Sequence, residues 1–135
     1  MRVILDGMGG DNAPSAIVEG AVLASEKCDK EIVIVGDEAE ISANLKKYGY
    51  KGDKISIINA GEVIDNDESP VQAVRKKKDS SLVKGISELL ENPEDIFISA
   101  GSTLKSLYRA CLFNINGYSG LFSSAIQVAD RKSVV

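Results

Sequence analysis

Short β-branched runs alternate with longer mixed stretches along most of the chain. Four runs predict strands, at residues 2–5, 31–37, 55–60 and 95–100. Five intervening stretches predict helices, at residues 14–27, 38–47, 71–77, 80–91 and 102–112. Because helices separate the strands, the connections are those of parallel strands, and the pattern predicts a doubly wound α/β sheet. The second run, EIVIVGD, is almost wholly apolar, which is typical of a strand buried on both faces.

Residues that begin or end helices support these boundaries. Pro14 suits the first turn of the first helix, where its missing N–H is not needed. Gly49 ends the second helix. Asp79 or Ser80 caps the helix at 80–91. Residues 114–135 show no clear periodicity, and we assign no structure to them.

Composition excludes several classes of protein. The 135 residues carry a net charge of −4, are 44% hydrophobic and include 5% aromatic residues and no Trp, which disfavours a general nucleic-acid-binding protein. No apolar run approaches the ~20 residues of a membrane span. The few apolar residues before Asp6 do not make a signal peptide, so we expect a cytoplasmic protein.

The chain has no histidine. This removes Ser-His and Cys-His nucleophiles and the usual zinc sites, and we expect neither a metal nor a cofactor. The two cysteines, Cys28 and Cys111, form no CxxC motif, and we expect them to behave as small buried hydrophobes. Any chemistry here proceeds without an imidazole.

Two loops rich in small residues follow predicted strands. DGMGGDNAP (6–14) follows the first strand and SAGST (99–103) the fourth, so both lie at the carboxyl edge of the sheet, where such folds bind ligands. Glycines there let an anion approach backbone N–H groups at a helix start. Neither GxGxxG nor GxxxxGK[ST] occurs. The alternative, tight turns required by packing alone, remains open.

A third segment, RKKKDSS (75–81), concentrates positive charge in an acidic chain. One interpretation is a solvated charged surface. The other is a local field that attracts a small anion, with Asp79 holding one of the cations and the Ser80 and Ser81 hydroxyls donating at a helix start. The acidic loop at 61–68 lacks EF-hand spacing, so we expect it to be solvated or to pair with cations rather than to bind a metal.

DGMGGDNAP, SPVQAVRKKKDSS and SAGST, in this order, resemble the bacterial phosphate acyltransferases of the PlsX family. AIVEGA, IVIVGDE and AGEVID also look like that family, and the resemblance covers about residues 1–103. It implies a three-layer α/β/α fold with a mainly parallel sheet, similar to isocitrate and isopropylmalate dehydrogenases. It also implies a homodimer, loosely associated with the inner face of the membrane. The implied reaction moves a fatty acyl group from acyl carrier protein to inorganic phosphate, giving acyl-phosphate for phospholipid synthesis.

The resemblance also implies site residues. Those implied in catalysis, as cationic phosphate holders or oxyanion donors, are Arg75, Lys76, Lys78, Ser102 and Thr103. Those implied in substrate binding are Asp6, Gly7, Gly9, Gly10, Asp11, Asp79, Ser80, Ser81 and Gly101. This chemistry suits a chain without histidine, because phosphate is already an anion and a thiolate is a competent leaving group.

Leu104 stands where the family has a glycine, and we expect the resemblance to end near this point. We therefore expect an N-terminal portion of a phosphate acyltransferase domain (1–113) and a divergent tail (114–135). We also expect the residues after Thr103 to derive from a shifted reading frame. On this interpretation the chain alone has little acyltransferase activity. Two other functions remain open: a non-catalytic module that binds phosphate or a nucleotide, and a structural remnant without a ligand.

Overall fold

A computed structural model describes residues 1–65 and 67–102, which form a parallel sheet covered by helices on both faces. The strands are β1 (Val3–Asp6), β2 (Ile32–Gly36), β3 (Ile55–Asn59) and β4 (Ile96–Ile98). The helices are α1 (Ser15–Lys27), α2 (Glu38–Lys47), α3 (Pro70–Lys76) and α4 (Ser81–Glu91). These elements confirm the predicted ones to within two residues. The predicted helix at 102–112 lies outside the described residues after Ser102.

The sheet has the strand order β3-β2-β1-β4, and every described pair is parallel. Leu5 of β1 lies opposite Ile34 of β2 on one side and Ile98 of β4 on the other. The chain moves outward from β1 to β3 and then returns to the other side of β1. Such a reversal opens a crevice at the carboxyl ends of the two strands that flank it, here β1 and β4.

Helices cover both faces of the sheet, and the apolar side chains of each face pack against them. Ile4, Val33 and Val35 pack with Leu82, Ile86 and Leu89 of α4. Ile32 and Ile34 pack on the opposite face with Val18 of α1 and Ile41 of α2. All five residues of β2 are buried, as the uninterrupted apolar run predicted. The three-layer α/β/α arrangement is therefore confirmed, whereas the specific likeness to the dehydrogenases stays a prediction.

Helix ends follow ordinary capping chemistry. Ser80 caps α4 by accepting a hydrogen bond from the Val83 N–H at 3.3 Å, which decides between the two predicted caps. Gly49 follows α2 with a φ of 68°, as expected for the end of a helix. Pro14 lies at the N-cap of α1, one residue earlier than the first-turn position predicted for it.

Cys28 is exposed at the end of α1, so the prediction of a buried thiol is wrong for this residue. Its backbone is extended where the chain leaves the helix through a charged, exposed connection to β2. Cys111 lies outside the described residues. Among the helices of the described ranges, none has the length and apolar content needed to cross a bilayer.

Candidate functional site

A pocket of about 150 Å³ lies at the carboxyl ends of β1 and β4. Three loops line it: Asp6 and residues 8–10 after β1, residues 63–65 after β3, and Ser99 and Gly101 after β4. Ser81 and Leu82, at the start of α4, complete the lining. The pocket thus occupies the point where the strand order reverses, which is the usual ligand position in such a sheet.

Asp6 joins the three parts of this pocket. Its side chain is buried, and its Oδ1 accepts hydrogen bonds from Ser81 Oγ at 2.6 Å and from the Met8 N–H at 3.2 Å. Its Oδ2 accepts from Ser99 Oγ at 2.8 Å. Within residues 1–65 and 67–102, no Lys or Arg forms an ion pair with Asp6. Neutral donors alone therefore compensate this carboxylate in the described part of the chain.

Ser99 extends this network to the loop after β4. Its Oγ donates to Asp6 and accepts from the Gly101 N–H at 3.2 Å, so Asp6 orients that loop through one hydroxyl. Sequence reasoning missed Ser99 as a site residue. Its position directly after the fourth predicted strand was the available signal, because that position lies at the ligand-binding edge.

The glycines after β1 are required by close packing of the two loops. A Cβ built on Gly9 would lie 2.7 Å from Asp6 Oδ2 and 2.9 Å from Ser99 Oγ, inside the hydrogen bond that joins them. Gly10 has a φ of 96°, which L side chains rarely adopt. Tight packing of the loops therefore explains both glycines, as one of the two interpretations of the sequence predicted. The backbone of both residues also lines the pocket.

The structure brings together Asp6, Gly9, Gly10, Ser81 and Gly101 from the predicted substrate-binding set. Other predicted residues do not line the pocket. Gly7 is buried behind it and donates its N–H to the Val35 carbonyl at 2.8 Å. Asp11 and Ser102 are exposed, and Thr103 lies outside the described residues.

The predicted cationic holders, Arg75, Lys76 and Lys78, are exposed and do not line the pocket. The buried side of α3 is formed by Ala73 and Val74, whereas Arg75 and Lys76, which follow them in the helix, are exposed. The expectation that these cations share one pocket with the glycine loops is therefore not met by the described residues.

Asp79 and Ser80 have structural partners instead of positions in the pocket. The Asp79 carboxylate pairs with Lys84 at 2.5 Å and accepts from the Gly61 N–H at 2.9 Å, and these bonds lower its pKa. The prediction that Asp79 holds a cation of the basic run is thus wrong, because Lys84 on the first turns of α4 reaches it. Ser80 is fully buried as the α4 cap, so its hydroxyl does not face the pocket.

Lys77 of the basic run contacts the acidic loop. Its Nζ donates to the Val63 carbonyl at 2.8 Å and pairs with Glu68, and this hydrogen bond raises the Lys77 pKa. The interpretation of the acidic loop as one that pairs with cations is confirmed. Within residues 1–65 and 67–102, no group of three His, Cys, Asp or Glu side chains is arranged to hold a metal ion.

Comparison with known proteins places the chain in a family. The model of the family described as fatty acid synthesis protein matches residues 1–129. The chain belongs to this family. This match runs past residue 103, where the quoted motifs end, whereas relatives at about 50% identity align over 103 or 104 residues. Short motifs carried the sequence-based resemblance, whereas a family model sums weaker similarity over many positions.

Three relatives illustrate the family's members. The phosphate acyltransferase of Halothermothrix orenii is 49% identical over 104 residues, which cover 76% of this chain and 31% of that protein. The phosphate acyltransferase of Clostridium botulinum strain Alaska is 53% identical over 104 residues, with the same coverage. That of the Loch Maree strain is 42% identical over 126 residues, covering 83% of this chain and 38% of the relative. The chain spans about a third of the length of these curated relatives.

Proposed function

We propose that this chain contributes the phosphate-binding part of a phosphate acyltransferase, which moves a fatty acyl group from acyl carrier protein to inorganic phosphate. One observation carries the proposal: the glycine loop and the SAG loop meet around Asp6 at the reversal of strand order. Relatives named phosphate acyltransferase support the reaction type, and the position of ligands at a reversal of strand order supports this edge.

The proposed reaction needs positioning more than proton abstraction. An oxygen of hydrogen phosphate attacks the thioester carbonyl carbon, the C–S bond breaks, and the phosphate proton passes to the departing thiolate. The products are acyl-phosphate and the free carrier thiol. The protein has to hold phosphate against the carbonyl and to stabilise the oxyanion that forms between the two steps.

Backbone donors carry the phosphate in this proposal. Gly10 and Gly101 line the pocket side by side, since a Cβ built on Gly101 would lie 3.6 Å from Gly10 N. In this proposal phosphate takes the place of Ser99 Oγ as the acceptor of the Gly101 N–H. Lys78 stands three residues before Ser81, which lines the pocket. We therefore assign Arg75, Lys76 and Lys78 a longer-range part, attracting the anion to this edge.

Phosphate titration followed by backbone amide NMR tests the binding step. We expect the Gly10 and Gly101 resonances to move in a saturable way, whereas Gly49, at the end of α2, does not move. Saturable shifts spread over the surface lysines alone would contradict the proposed cradle.

Acyl-phosphate formation tests the chemistry. We expect hydroxylamine trapping to detect acyl-phosphate when residues 1–102 replace the matching segment of the Clostridium botulinum relative and both acyl carrier protein thioester and phosphate are supplied. An inactive chimera that still binds phosphate would favour the non-catalytic phosphate-binding module. The homodimer and the peripheral membrane association stay predictions, which light scattering and vesicle sedimentation can test.

A further inference from the structure

We infer that Asp6 makes the pocket selective for an oxyanion that carries a proton, such as hydrogen phosphate, over one that carries none, such as sulfate. The inference rests on the proposed function, in which phosphate lies against the two glycine loops. It names Asp6 as the residue that recognises the phosphate proton and so determines specificity. Asp6 is buried and lines the pocket.

The hydrogen bonds of Asp6 leave acceptor capacity on one carboxylate oxygen. Its Oδ1 accepts two, from Ser81 Oγ at 2.6 Å and from the Met8 N–H at 3.2 Å. From the described part of the chain, Oδ2 accepts one, from Ser99 Oγ at 2.8 Å. Because a carboxylate oxygen has two lone pairs, Oδ2 can accept a further hydrogen bond. Gly9 leaves this oxygen uncovered, since a Cβ built there would lie 2.7 Å from it.

The two serine hydroxyls of the pocket are also acceptors for a ligand. Each hydroxyl has a single proton, and Ser81 and Ser99 both donate it to Asp6. Once phosphate replaces Ser99 Oγ as the acceptor of the Gly101 N–H, the Ser99 oxygen has a lone pair left for the ligand. The side of the pocket around Asp6 therefore consists of acceptors, whereas the backbone N–H groups of the proposed cradle are donors.

A ligand that satisfies both sides has unprotonated oxygens and at least one O–H group. Hydrogen phosphate has both. Sulfate has the same tetrahedral shape and, in mildly alkaline solution, the same charge, but it has no proton to place between its oxygen and Asp6 Oδ2. Like charges at that distance repel, whereas a proton between the two oxygens gives a charge-assisted hydrogen bond.

The net charge of the pocket does not account for this selectivity. Asp65 is the other ionisable residue among the described lining residues, which include no Lys or Arg. Its carboxylate repels two dianions of the same charge and shape to the same extent. The difference between the two ions therefore depends on the acceptor that contacts the proton.

Competition titrations followed by amide NMR test the inference on the full chain, with inorganic phosphate, sulfate and methyl phosphate in mildly alkaline buffer at constant ionic strength. All three are tetrahedral dianions there, and inorganic phosphate alone retains a proton. We expect the Gly10 and Gly101 resonances to report phosphate binding that is about tenfold tighter than that of either competitor. This factor corresponds to ~1.4 kcal/mol, the low end for a hydrogen bond to a charged group.

Two variants locate the selectivity. In Asp6→Asn, the amide nitrogen can donate to an unprotonated oxygen, so the preference for phosphate over sulfate should fall to about twofold or less. Asp65→Asn is the matched control, because it removes the same charge from the same lining, and it should keep the preference. Circular dichroism checks that each variant is folded. If Asp6→Asn is not, the three affinities of the parent chain still decide.

The outcomes separate this inference from the proposed function. Equal affinity of the parent chain for phosphate and sulfate overturns the inference while phosphate binding stands. A preference that Asp6→Asn retains in full also overturns it. A preference lost in Asp6→Asn alone, together with a chimera that forms no acyl-phosphate, supports the inference and overturns the proposed acyl transfer. If none of the three ions binds, both are wrong.

Discussion

At each end of the β1–β4 pair, a buried carboxylate links the two strands. The negative charge is compensated differently at the two ends. Asp95 lies just before β4, at the amino edge, and is 3% exposed; Asp6 ends β1, at the carboxyl edge, and is 5% exposed. Both side chains bond to residues distant in sequence.

At the amino edge, the buried Asp95 carboxylate forms an ion pair with Arg2. The Asp95 carboxylate accepts from the Arg2 N–H at 2.8 Å, from Nε at 2.9 Å and from Nη2 at 2.7 Å, and Arg2 also bonds Glu88 of α4 at 3.1 Å. Burial opposes ionisation of Asp95, but the bonds from Arg2 outweigh it and lower its pKa. The hydrogen bond to Asp95 in turn raises the pKa of Arg2.

At the carboxyl edge, two hydroxyls and one N–H donate hydrogen bonds to the Asp6 carboxylate, and the pocket lies beside it. A guanidinium has donors alone, whereas a hydroxyl can donate or accept. An ion pair therefore compensates the buried acid at the amino edge, whereas hydrogen bonds from neutral donors compensate it at the carboxyl edge. This difference separates the structural end of the strand pair from the candidate binding end.

Asp95→Asn should have the largest effect. An amide nitrogen would replace the oxygen that faces Arg2 Nε and Nη2, so donors would oppose donors. We expect a loss of about 3 kcal/mol in the free energy of unfolding, the low end for breaking a buried pair, because Arg2 is partly exposed. Urea denaturation measures it, with exposed Glu91→Gln as a control near zero. A loss no larger than that of the control would show that the ion pair between Arg2 and Asp95 does not stabilise the amino edge.

Gly9→Ala should come next, at the carboxyl edge. The added Cβ enters the Asp6–Ser99 hydrogen bond, and we expect a loss of about 2 kcal/mol. Gly20→Ala is the matched control: it lies in α1, where an added Cβ would have nothing within 4 Å. That control should stabilise the protein by about 0.5–1 kcal/mol, because alanine favours a helix. Equal effects of the two changes would refute the close approach of the loops.

Asp6→Asn should cost far less than Asp95→Asn. The amide oxygen can keep the bonds from Met8 and Ser81, and the amide nitrogen can donate to Ser99 Oγ once that hydroxyl rotates. We expect a loss of about 1 kcal/mol or less. Urea denaturation of both variants side by side gives the ratio, and a larger loss for Asp6→Asn would reverse the comparison.

The smallest expected effect is a change in how the melting temperature falls at low pH. Because the folded pKa of Asp95 is below its ordinary 3.8, its stabilising contribution is present above that value and is lost as the pH falls through the folded pKa. Melting temperatures between neutral pH and about pH 2 should therefore fall less steeply in Asp95→Asn than in the parent. The slope should persist in part, because the Asp79 pKa is also lowered. Identical slopes in parent and variant would exclude Asp95 as a contributor.

Much of the fold was predictable because local periodicity governs it. The uninterrupted apolar run of β2 marks a strand buried on both faces, and Ser80 had the chemistry of a helix cap. The carboxyl-edge loops were predictable as a ligand edge, since all parallel strands end there. Lys77 was not separable from its neighbours, because four consecutive cations look alike until the orientation of α3 turns one of them toward Val63.

By itself the sequence determined the parallel α/β class, the positions of its elements and the two loops of small residues, since these depend on interactions between near neighbours. The tertiary structure decided which loops touch. Asp6 and Ser81 are 75 positions apart, and Arg2 and Asp95 are 93 apart. Their contacts depend on β4 returning beside β1, and that choice follows from how the sheet buries both faces at once, which no local pattern encodes.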